Sequence, residues 1–94
     1  MSDKMKTRVD SLTPRQREVV RLTSLGCTVN EIAKVLNIAP STADNHRSRA
    51  MKILGTDRAV LLARIAIKYK ISSMNDKMSP NERKKRGKRK DVWN

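Results

Sequence analysis

The sequence predicts an all-α fold: a four-helix bundle built around a helix-turn-helix, followed by a disordered basic tail. Three observations carry this. Between Leu12 and Ile71 apolar residues recur at helical spacing, with compact breaks only at Gly26, residues 37–40 and Gly55. No segment shows the period-two alternation of a strand. Beyond Ile71 the periodicity stops, and residues 79–90 form a basic run too poor in apolar side chains to fold by itself. The implied boundaries are 1–11 for a polar arm, 12–71 for the helical domain and 72–94 for the tail.

The first helix is opened by Thr13 as N-cap, Pro14 at the first helical position and Gln16 completing a T-x-x-Q capping box. Val19, Leu22 and Leu25 give its apolar face, and Gly26 ends it in the left-handed conformation. Thr28 and Glu31 repeat the box for a second, short helix carrying Ile32, Ala33 and Leu36. This helix stops at Asn37, a residue that tolerates positive φ. A third helix, residues 41–54, follows within a few residues behind Pro40. Two short helices joined so tightly have helix-turn-helix geometry. A fourth helix is expected from Thr56 or Asp57 to about Tyr69.

Composition narrows the function. In 94 residues, 22 Lys and Arg stand against nine Asp and Glu, a formal net charge of +13. Such an excess draws polyanions, nucleic acid foremost. Tyr69 and Trp93 are the only aromatic residues. That leaves no stacking platform for single strands or an RNA-recognition sheet, so duplex DNA is the partner. A lone cysteine, Cys27, builds neither a disulfide framework nor a zinc cluster, and it is expected to be a small buried apolar residue. No stretch is apolar enough for a membrane span, and residues 1–10 lack the apolar centre of a secretion signal. A cytoplasmic location at the bacterial nucleoid fits, with no membrane and no small-molecule ligand expected. No nucleophile–base pair, paired carboxylates or phosphate-cradling glycine loop is found, so an enzyme, a cofactor and a metal site are not expected.

The third helix carries the chemistry. On a wheel at about 100° per residue, Ala43, Ala50, Met51 and Leu54 gather on one side. Ser41, Asp44, Asn45, Ser48 and Lys52 gather on the other, flanked by Arg47 and Arg49. Short polar residues in mid-helix are poor helix formers, so something other than propensity selects them. Base edges do. Asn45 matches adenine N6 and N7, Asp44 can accept from the cytosine amino group, and Ser41 and Ser48 suit a base edge or a phosphate. Thr42, Arg47, Arg49 and Lys52 are expected on backbone oxygens, which fix register without specifying sequence. The competing reading leaves Asp44 paired with Arg47 or Ser48 on a solvated face. His46, the one histidine, falls beside the core.

With these residues in view, the chain resembles the LuxR-type (GerE-type) helix-turn-helix family, the output domains of quorum-sensing receptors and many response regulators. The resemblance runs through residues 12–19 (LTPRQREV) and 26–33 (GCTVNEIA), then Thr42, Asn45-His46, and Lys52 to Leu54-Gly55. It implies a four-helix domain whose third helix enters the major groove, and dimerisation through the fourth helix on a two-fold operator. Ala39 stands where members often place a capping Ser, Ala43 replaces a larger apolar residue, and Asp44 replaces a frequent Lys. Residues 1–11 hold no receiver or ligand-binding domain, so control by abundance, by a separate partner or by a segment outside these 94 residues is expected.

The fourth helix is apolar almost all round, and a homodimer contact around Leu61, Leu62 and Ile65 is expected from that surplus. The tail holds eight Lys and Arg against three Asp and Glu between residues 76 and 91. Its Arg83, Lys84, Lys85, Arg86, Lys88, Arg89 and Lys90 are expected to contact DNA phosphates without sequence preference. Two other readings compete with a sequence-specific regulator: a module that binds RNA polymerase or another regulator, resembling the promoter-reading end of a sigma factor, and a nonspecific architectural DNA coater.

Overall fold

The computed structural model describes residues 3–72 and 76–87, and every regular element in them is a helix. These are α1 (Lys4–Asp10), α2 (Pro14–Ser24), α3 (Val29–Leu36), α4 (Pro40–Leu54), α5 (Ala59–Lys68) and α6 (Pro80–Arg86). The four expected helices are α2 to α5. Both capping boxes form: Thr13 Oγ1 accepts from Gln16 N at 3.1 Å and Thr28 Oγ1 from Glu31 N at 3.2 Å, each with its reciprocal bond. Asn37 ends α3 in the left-handed region at φ 56°, as its side chain permits. The α5 start differs from expectation by two or three residues. Thr56 accepts from Arg58 N at 3.2 Å, so it closes a turn before the helix instead of capping it.

Two apolar clusters hold the bundle, and the adjacent residues Val19 and Val20 of α2 divide between them. Val19 and Leu22 pack with Cys27, with Ile32, Ala33 and Val35 of α3, and with Ala43 of α4. Val20 packs with Ala50 and Leu54 of α4 and with Leu62 and Ala66 of α5. The two halves of α4 are thereby seated on different cores, which holds the helix along its whole length. Each fully buried Val, Ile or Leu contributes about 1.5–3 kcal/mol relative to exposure.

Two segments read as arm and tail join this packing. Within residues 1–11, α1 is capped by Asp3, whose carboxylate accepts from Met5 N and Lys6 N, and Val9 enters the second cluster. Tyr69 Oη donates to Asp3 Oδ2 at 2.7 Å, tying α1 to the end of α5. That bond holds the Asp3 carboxyl below its ordinary pKa and raises the Tyr69 phenol. Within the tail, Pro80–Arg86 is not an unstructured run but α6, seated on α3. Ser79 and Glu82 form a third capping box, Pro80 takes the first turn, and Met78 plugs the first cluster beside Cys27.

Across this joint, Arg21 of α2 grips two carboxylates. Its Nε lies 2.9 Å from Asp76 Oδ2 and its Nη1 2.8 Å from Glu82 Oε2. The guanidinium holds both carboxyls below their ordinary values, and they in turn hold Arg21 more firmly protonated.

Candidate nucleic-acid interface

The surface of α4 is set by what lies beneath it. Ala43 and Ala50 are fully buried and Leu54 is 1 % exposed. Those three small or compact contacts let α4 lie close on α2 and α3 and turn its other face outward. On that face Ser41, Thr42, Asp44, Asn45, Ser48, Arg49 and Lys52 are all exposed. The strip expected from the wheel is therefore assembled on one rigid helix. Asp44 makes no ion pair among the described residues, so the pairing with Arg47 is not what holds it there.

Arg47 differs from its neighbours. It is half-buried, and its Nε is enclosed without a hydrogen-bond partner. Its stem therefore lies along the protein and leaves only the guanidinium tip for an outside partner. His46 is likewise half-buried. Pro40 opens α4, but the N-cap is Ala39, which offers no side-chain acceptor to the first-turn N–H groups. At the other end Gly55 closes α4 at φ 73°. There a surface recess of about 480 Å³ is lined by Ser48, Met51, Lys52, Gly55, Thr56 and Asp57.

The expected dimer face needs correction at Leu62. This residue is 0 % exposed and packs inside the chain with Val20, Leu54 and Ala66. It points with Ala66, one turn on, toward α2, so it is core. Ile65 is half-buried against the same cluster, while Leu61 is 44 % exposed. Val60 and Ile67, two turns apart on one stripe, join Leu61 as the large apolar side chains that α5 presents to solvent.

Arg86 also needs correction. It is 6 % exposed, donates from Nη1 to Met78 Sδ at 3.4 Å, and stands 3.9 Å from Glu31 Oε2, so it ties α6 to α3. Arg83, Lys84 and Lys85 are exposed on the same helix. Lys88, Arg89 and Lys90 lie outside the described residues. The Ser79-Pro80-x-Glu82 box is the sequence signal that marks α6, since it repeats the pattern that opens α2. Nothing in the sequence marks Arg21 as the residue that fastens it.

Among the described residues, no cluster of His, Cys, Asp and Glu is arranged to hold a metal ion. No helix among them is long and apolar enough to cross a membrane.

A small bundle that turns one helix of short polar residues outward is the architecture of a helix-turn-helix regulator. The chain belongs to the luxR family of bacterial regulatory proteins (GerE), whose family model matches residues 10–66. That family consists of DNA-binding regulators, not enzymes. The chain is 36 % identical over 73 residues to the transcriptional regulatory protein MctR of Rhizobium johnstonii, covering 78 % of this chain and 34 % of that protein. It is 42 % identical over 57 residues to the transcriptional regulatory protein UhpA of Escherichia coli, covering 61 % and 29 %. It is 38 % identical over 60 residues to the transcriptional activator protein BjaR1 of Bradyrhizobium diazoefficiens, covering 64 % and 25 %. The chain thus spans about a third or less of the length of these relatives. No solved structure matches it.

Proposed function

We propose that this chain regulates transcription in the bacterial nucleoid by binding duplex DNA sequence-specifically, with α4 in the major groove. One observation carries the reading: Ser41, Asp44, Asn45 and Ser48 are exposed together on a helix whose opposite face is locked into two cores. Asn45 and Asp44 offer complementary donor and acceptor sets to adenine and cytosine edges, and the serines fill in at edges or phosphates. Thr42, Arg49, Lys52 and the tip of Arg47 bind backbone oxygens on either side. Arg83, Lys84 and Lys85 extend the cationic footprint from α6. This helix rides on α3, the first helix of the helix-turn-helix, which in such proteins crosses the DNA backbone. Val60, Leu61 and Ile67 of α5 supply the apolar face through which two copies pair on a two-fold operator.

Selection of bound sites from a random duplex pool tests this. The expected product is a two-fold motif with half-sites about one helical turn apart. Binding without enrichment of any motif would replace the regulator with a nonspecific coater.

A further inference from the structure

We propose that Arg8 of α1 is a DNA-phosphate ligand, held at the C-terminal end of α4 by a helix that precedes most of the family's matched segment. The inference rests on the groove-reading role of α4. It adds a contact from residues 4–8, which lie outside the matched residues 10–66.

The argument starts at Gly55. A Cβ placed there would lie 2.8 Å from Arg8 Nη1, so the guanidinium rests against the bare backbone of this glycine. Gly55 also needs its positive φ to turn the chain out of α4. The same residue lines the recess that contains Ser48 and Lys52, the last two residues of the outward strip. Arg8 thus stands where the strip ends and the DNA strand bordering the groove has to pass. Lys52 and the hydroxyls of Ser48 and Thr56 line the recess and can donate to a phosphate. Asp57, also in its lining, is the one carboxylate there and opposes such a contact.

The helix that carries Arg8 is fixed in place. Asp3 caps α1 and is held by Tyr69, Val9 is buried in the second core, and Arg17 Nη2 donates to Val9 O at 2.9 Å. Lys6 and Arg17 share the single carboxylate of Asp10, at 3.0 and 3.9 Å. Arg8 has no carboxylate partner among the described residues and is exposed. An uncompensated guanidinium beside the base-reading strip favours a bidentate anion, and a DNA phosphate is the anion that strip brings.

The alternative is purely structural: a cation at a helix C-terminus steadies the dipole of α4. Arg8→Ala and Arg8→Lys in the full chain separate the two. Binding of a selected duplex and of an unrelated duplex is followed across salt, alongside thermal unfolding without DNA. For Arg8→Ala, the slope of log affinity against log salt should become shallower by about 0.9, which weakens both duplexes roughly fivefold near 0.15 M salt and hardly at all near 1 M. Arg8→Lys should recover most of the slope, and the melting temperature should stay put. An unchanged slope overturns the proposal, whether or not the melting temperature falls. Failure of the unsubstituted chain to bind any duplex is a different result and would count against the function of α4 itself.

Discussion

Leu61 and Leu62 are neighbours in sequence, and the sequence alone assigns both to the dimer contact, yet truncating them should have opposite signatures. Leu62 is fully buried, and two of its cluster neighbours, Ala50 and Ala66, are alanines on α4 and α5. Alanines bring helix backbones close and cannot reach into a void, so the site collapses little when the leucine is cut back. Leu62→Ala should therefore fall in the upper part of the usual range, about 3–5 kcal/mol. A domain of this size has only about 5–15 kcal/mol in all. The melting temperature should drop by roughly 12 °C or more, at every protein concentration. Leu61, 44 % exposed, loses little on truncation in the monomer, about 0.5 kcal/mol. Its effect should instead show as weaker self-association and as stability that depends on concentration. Urea unfolding followed by circular dichroism, with sedimentation of both variants, measures these quantities. A loss below about 1 kcal/mol for Leu62→Ala would refute the packing argument. So would equal, concentration-independent losses for the two residues.

The joint of α6 should be acid-sensitive. Asp76 and Glu82 have ordinary pKa values of 3.8 and 4.5 and are held lower in the folded chain by Arg21. Their contribution is therefore complete above those values and is lost as pH falls through the lowered ones. Arg21→Met should raise amide exchange across residues 80–86 at neutral pH and flatten its acid dependence. With the three groups a fifth to just over a quarter exposed, the loss is on the order of 1–2 kcal/mol. Unchanged exchange would contradict the clamp. At the other end of the site, Ala39→Ser supplies the missing cap of α4 and should stabilise the chain by about 0.5–2 kcal/mol in urea unfolding. No shift in the midpoint would mean that Pro40 and the packing already fix that turn.

The four central helices were legible because their punctuation is local. A threonine with Gln or Glu three residues on, a proline at the first turn, and Gly55 or Asn37 at a C-terminus act within one turn of chain. The outward strip was legible for the same reason, since a helix wheel needs only a helix. What escaped depends on distant partners. In α1, Met5 and Val9 are too few to show a period, and they become a buried face only against Leu54 and Ala66, far along the chain. Leu62 could not be told from Leu61 by composition, because α5 is apolar on both sides and only the position of α2 decides which side is inside. Arg86 read as one more cation in a basic run until Glu31 and Met78 stood next to it. The Ser79 box was the exception: its signal was local and sufficient, but the charge around it read as a tail.

Asn45 offers the most direct measurement of the account as a whole. Asn45→Ala leaves α4 and its buried face intact, so discrimination at one base pair of a selected site should fall by about 1–3 kcal/mol while affinity for unrelated duplex barely changes. Equal weakening on every duplex, or undiminished discrimination at every base pair, would mean that this helix does not tell base pairs apart.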